Sequence, residues 1–190
     1  MKDFISDKSF KGLDYSLKRL QVAEYENCVF EGCDFSNGYL DNQNFMECRF
    51  VDCNLSNANI VNTQFNEVLF DHCKMMGLKF EESNDFLMDI NFKHSILNLS
   101  SLAGLSLKKK HFLDCKMIEV DFTDANLTNT KFDNCDLDRA IFRNSILEGA
   151  DFSSAYNFNI DPDTNTLKNA IFISNGLKNL LVKHQLKIVD

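Results

Sequence analysis

The amino-acid sequence predicts an all-β solenoid, a chain wound on four sides around an apolar axis. Three observations predict it. An apolar residue stands at every fifth position from Phe10 to Phe80 and again, two residues out of phase, from Leu87 to Phe152. Every fourth member of that series is a phenylalanine: Phe10, Phe30, Phe50, Phe70, Phe92, Phe112, Phe132 and Phe152. All seven cysteines, Cys28, Cys33, Cys48, Cys53, Cys73, Cys115 and Cys135, fall two residues before a member of the series. A period of five fits neither the 3.6 of a helix nor the 2.0 of a strand, so each unit must turn a corner to return its apolar side chain inward. With 44% apolar residues, an unbroken series of this length has a chance probability of about 10⁻¹⁰. The phenylalanine column then sets one turn at 20 residues on four sides.

Composition agrees and removes several classes of function. The 190 residues suffice for one domain. Seven Gly and one Pro are too few for ordinary elements joined by Gly/Pro turns, so a regular repeat must organise the backbone. Lys and Arg number 20 against 28 Asp and Glu, a net charge of −8. That sign opposes direct binding to nucleic acid or to an anionic membrane. No apolar run is long enough for a signal core or a membrane span. An odd number of cysteines without a CxxC pair argues against a disulfide framework or zinc ribbon, and a reducing cytoplasm is the expected location.

Taken along the chain, residues 1–9 form a lead-in and 10–157 the repeat, in about seven coils. The slip at 81–86 reads as a two-residue bulge that keeps the side count and leaves Leu87 pointing inward. If the series residue is position i, the cysteines share position i−2 with Ala23, Ala58, Thr63, Ala125, Thr130, Ala140, Ser145, Ala150 and Ala155. That second inward site must be narrow, and Cys serves there as a small apolar group. Positions i−1, i+1 and i+2 carry Asp, Asn, Ser, Lys and Glu and form the surface. Stacking coils at the strand spacing of about 4.8 Å makes a rod roughly 35 Å long. After Tyr156 the period stops, and residues 158–190 read as a last strand-like unit, a helix and a short strand. Ser174 or Asn175 can cap the helix, whose stripe is Leu177, Leu180, Leu181 and His184, and Leu186 and Ile188 alternate after it.

The units Ala58-Asn59-Ile60, Ala125-Asn126-Leu127 and Ala150-Asp151-Phe152, with Cys33-Asp34-Phe35 and Cys135-Asp136-Leu137 as variants, resemble the A(D/N)LXX consensus of pentapeptide-repeat proteins. The resemblance implies a right-handed quadrilateral β-helix. The C-terminal layout, from Ile160-Asp161-Pro162 to the final Ile188-Val189, is similar to that of the Qnr-type quinolone-resistance proteins and MfpA. It implies a cytoplasmic homodimer joined tail to tail through Leu177, Leu180, Leu181, His184, Leu186 and Ile188. It also implies a DNA mimic that engages DNA gyrase or topoisomerase IV as its protein partner. The long projecting loops of the Qnr type are missing, which brings the chain nearer to MfpA. A structural or interaction scaffold with another partner is the alternative.

The outward positions of the coil on the side of Tyr25, Phe45 and Phe65 hold the most acid: Glu24, Glu26, Glu47, Glu67, Asp89 and Glu148 against Lys108 and Lys109. Glu47, Glu67 and Asp89 share position i+2 on successive coils, about 5 Å apart, and this face is the expected partner site. Lys110 at the narrow i−2 position must distort its corner or reach outward. His72 and His94 stack at i+2 on the phenylalanine side between Asp52 and Asp114; with no third ligand evident from spacing, no metal is assigned. No Ser/His/Asp set, HExxH, P-loop or GxGxxG occurs, so neither enzyme activity nor a cofactor is expected.

Overall fold

The computed structural model describes residues 2–187. The chain is a parallel β-solenoid of about seven turns. Strands form on two adjacent sides. One sheet has the order β1 (Asp3–Ser6), β3 (Ala23–Glu26), β5 (Asn44–Met46), β7 (Gln64–Asn66). The other runs β2 (Ser9–Lys11), β4 (Val29–Glu31), β6 (Arg49–Val51), β8 (Val68–Asp71), β9 (Ile90–Lys93), β10 (His111–Leu113), β11 (Lys131–Asp133). The other two sides are linked by single parallel bridges such as Asp34↔Asn54 and Asp121↔Ile141. The lead-in already takes part, since β1 pairs in register with β3.

Phenylalanine makes the axis. Phe30 pairs with Phe50 and Phe50 with Phe70 across parallel strands, so the rings must stack one coil above another. Their centroids lie 4.8 and 5.1 Å apart, and the ladder continues to Phe152, where a ninth ring, Phe172, joins at 5.2 Å and 2°. Rings on the neighbouring side meet them edge-on, as Phe45 meets Phe50 at 81°. Stacked and edge-to-face contacts are the geometries that the aromatic quadrupole favours.

Each repeat position has a backbone reason. At many corners the N–H of residue i+3 bonds to the carbonyl of inward residue i, as in Thr63 to Ile60 (3.0 Å) and Ala125 to Phe122 (3.0 Å). The residue at i+2 then takes a left-handed φ, for example 57° at Asn62 and 59° at Asp124. This is the pattern of a type II turn, and Asn, Asp and Gly tolerate it best. All seven cysteines are buried and free. Each Sγ lies near backbone carbonyls, as Cys48 near Tyr25 O at 3.4 Å, and burial pushes the Cys48 thiol up to about 12.

Two expectations need correction. The slip at 81–86 is no silent bulge: a short 3-10 turn at Phe80–Glu82 throws the chain outward, and Leu87 is 66% exposed at φ 58°, with Phe86 equally exposed beside it. Met88, partly buried, and Ile90 fill the axis there instead. The C-terminal helix is also of another kind. Ser174–Leu180 and Val182–His184 are 3-10 turns, separated at Leu181. No side chain caps the first of them, so neither Ser174 nor Asn175 acts as the expected cap. The tight turn brings buried Gly176 onto Phe158, where a Cβ would come within 3.1 Å of the ring. Lys183 ties this cap down by pairing with Asp161 and Asp163. Ile188 and the expected terminal strand lie outside the described residues.

Candidate functional site: an acidic face with an apolar groove

The outward residues of β1, β3, β5 and β7 build one face. Alternation along each strand turns Tyr25, Phe45 and Phe65 inward, and turns Glu24, Glu26, Asn44, Met46, Gln64 and Asn66 out. The outward excursion at 81–88 stands at the end of this sheet. Between it and β1 runs a groove of about 200 Å³, walled by Phe4, Met46, Phe86 and Leu87 and rimmed by Glu24 and Glu26. Phe4, Phe86 and Leu87 are each more than 60% exposed. The excursion thus puts apolar surface where the five-residue period puts core.

The predicted acids divide into two groups. Among the described residues Glu24, Glu26, Glu47 and Glu67 form no ion pair. Glu47 and Glu67 occupy left-handed corners at φ 53°, where their side chains point from the rod. Asp89 follows them one coil on, opposite Glu67, but its carboxylate is taken by Lys110 and by the Asn91 amide. Lys110 solves its narrow position by reaching out to Asp89. Lys108 and Lys109 lie exposed beyond the excursion, and Glu148 follows them two coils further on.

Many other surface carboxylates are structural. The Asp or Asn at i−1 accepts the N–H two residues on: Asp34 from Ser36 at 2.8 Å, Asp121 from Thr123 at 2.8 Å, Asp151 from Ser153 at 2.9 Å, and Asn59 from Val61 at 3.0 Å. This satisfies a corner donor that the coil ladder leaves free. The Ser153 bonds hold the Asp151 carboxyl below the usual carboxylate range.

Family profiles match the same coils. The profile described as a pentapeptide repeat region covers residues 23–85, and that of pentapeptide repeats in eight copies covers residues 121–156. The chain belongs to the pentapeptide-repeat family. This pentapeptide-repeat protein superposes on a trypsin-treated variant of QnrB1, a plasmid-mediated fluoroquinolone resistance protein, with a TM-score of 0.75. The identity is 15%, over 99% of this chain and 92% of that one. Full-length QnrB1 gives a TM-score of 0.57 at 15% identity, over 96% and 100% of the two chains. At this identity the likeness is one of fold. A search of curated protein sequences finds no significant match. No helix among the described residues is long and apolar enough to cross a membrane.

The apolar end of the rod is the second expected site. Leu180 packs onto the core, while Leu177, Leu181, Val182 and Leu186 remain exposed, with Ile171 and Ile173 beside the cap. His184 is exposed as well. Sequence reasoning missed the groove residues Phe4, Met46 and Phe86. The one available signal was the adjacent pair Phe86-Leu87, which a single inward position cannot bury together.

Proposed function

We propose that this protein binds a type II topoisomerase, DNA gyrase or topoisomerase IV, through the acid-rimmed face, and so modulates the enzyme or shields it from quinolones. One observation carries the reading: Glu24 and Glu26 rim an apolar groove and Glu47 and Glu67 stand on the same side of the rod, none of the four in an ion pair among the described residues, on a rod with the fold of QnrB1. A topoisomerase receives duplex DNA in a basic saddle, and the rod offers the required sign and an elongated shape. Magnitudes limit how far charge alone can act. A duplex of about 35 Å carries roughly 20 phosphate charges, against a net −8 for this chain. Charge therefore steers the encounter, and the groove around Phe86 and Leu87 supplies the desolvated contact.

The test is a gyrase supercoiling and binding titration with the purified protein, with and without a fluoroquinolone, at several salt concentrations. Binding should weaken as salt rises, and Glu47→Lys/Glu67→Lys should weaken it at low salt with the unfolding midpoint unchanged. Salt-independent binding, or none to either enzyme at micromolar concentration, would remove the topoisomerase. The scaffold reading then stands, and the exposed Phe86-Leu87 pair favours it independently, because an apolar groove also suits another protein partner.

A further inference from the structure

We propose that Asp71, His72 and His94 form a surface site for a divalent transition-metal ion such as Zn²⁺. The site is distinct from the acidic face and lies on the phenylalanine side of the rod. Asp71 ends β8 and His72 follows it directly; one coil on, Lys93 ends β9 and His94 follows it. Asp71 and Lys93 are register partners, so the excursion at 81–88 is absorbed before β9 and the two histidines still align. Their rings stack with centroids 4.5 Å apart at 22°. His94 Nδ1 lies 2.8 Å and His72 Nδ1 3.0 Å from the same oxygen, Asp71 Oδ1.

This supplies the third donor that sequence spacing did not reveal. One donor atom from each residue lies within 4.8 Å of the other two. A tetrahedral Zn²⁺ with bonds of about 2.0–2.2 Å holds its ligand atoms roughly 3.4 Å apart, so small rotations of exposed side chains are enough. Two imidazoles and one carboxylate suit Zn²⁺, Co²⁺ or Ni²⁺ and suit Mg²⁺ poorly. Asp114 Oδ2 stands 3.6 Å from His94 Nε2. When a metal takes Nδ1, that carboxylate can accept from the proton then carried on Nε2. In the metal-free protein both Nδ1 atoms can donate to Asp71. A ring that binds a metal through Nδ1 carries its proton on Nε2. His72 and His94 are exposed, which leaves the remaining coordination position open to water or to a ligand from a partner.

His72 and His94 sit at left-handed corners, φ 54° and 49°, a conformation that histidine shares with Asn and Asp. Asp52 and Asp114 fill the same column on the flanking coils at 52° each.

The experiment is calorimetric titration of the full chain with ZnCl₂ and, separately, MgCl₂, together with NMR of the histidine rings. The expected result is one Zn²⁺ per chain, with the His72 and His94 ring signals shifted, His111 unmoved and no heat from Mg²⁺. His72→Asn and His94→Asn keep the left-handed backbone, and each should weaken Zn²⁺ binding by more than about tenfold with the unfolding midpoint unchanged. No Zn²⁺ binding by the wild-type chain would overturn the proposal. So would undiminished binding by the His72→Asn/His94→Asn double variant, which would place the metal elsewhere.

Discussion

Phe70 shows how a single side chain is held in this rod. Its ring is fully buried, stacks on Phe50 and Phe92, and meets Phe65 and Phe80 along its edges. Truncation removes both burial and four ring contacts, in an axis that cannot collapse because each coil is pinned by the hydrogen bonds of its neighbours. Phe70→Ala should therefore cost about 3–5 kcal/mol. Asn66→Thr, one strand back and facing out, should stay within about 0.5 kcal/mol. Urea unfolding of the two variants decides this, and equal losses would mean that the inward and outward assignments are mistaken. The same scale separates two kinds of surface acid. Asp34, Asp121 and Asp151 serve corner N–H groups, whereas Glu24, Glu26, Glu47 and Glu67 form no ion pair among the described residues. The corner carboxylates keep their charge but are fixed by the turn N–H groups they accept from, whereas the four glutamates are not so held.

Among the elements, the segment from Phe80 to Ile90 departs furthest from the repeat. It ends the sheet β1-β3-β5-β7, while the adjacent sheet continues through β8 and β9. Beyond it the same side is linked only by single bridges, such as Ser106↔Asn126. The excursion therefore changes the construction of one side while the phenylalanine ladder runs on. Leu87 tests its geometry by the sign of an effect. A leucine at φ 58° carries a left-handed penalty of about 1–2 kcal/mol, part of which Asn avoids. Leu87→Asn should accordingly leave thermal stability unchanged or raise it by up to about 1 kcal/mol. A loss of about 2 kcal/mol or more, as expected for a buried leucine, would return the residue to the core.

For the whole molecule, a solenoid buries each coil against its neighbours and must close its two ends by other means. The C-terminal end is closed by 3-10 turns over Phe158 and Phe172, with Lys183 as the clip to Asp161 and Asp163. This closure covers the last rings yet leaves Leu177, Leu181, Val182 and Leu186 exposed, more apolar surface than one cap requires. Pairing of two such ends would bury it and give a twofold rod about twice as long. Light scattering at micromolar concentration should read two chains, and Leu177→Asp/Leu181→Asp should read one with the coil's circular dichroism retained. A wild-type monomer, or a variant that stays paired, would place the apolar patch to some other use.

Residue spacing was enough to establish the five-residue period, the four sides, the phenylalanine axis and the narrow cysteine register. Burial recurs with sequence spacing, so spacing alone reports which side chains share the interior. It could also place Glu24, Glu26, Glu47, Glu67 and Asp89 on one side and stack His72 on His94. Three further outcomes emerge in three dimensions alone. Asp89 is claimed by Lys110 while the four glutamates form no ion pair among the described residues. Leu87 faces solvent beside Phe86, and Asp71 brings its carboxylate to both histidines. These outcomes depend on side-chain reach between coils some 20 residues apart and on how an irregular segment leaves the ladder. Spacing marks where the ladder slips, at 81–86, but neither the direction the segment takes nor the partners that side chains reach has a period to be read.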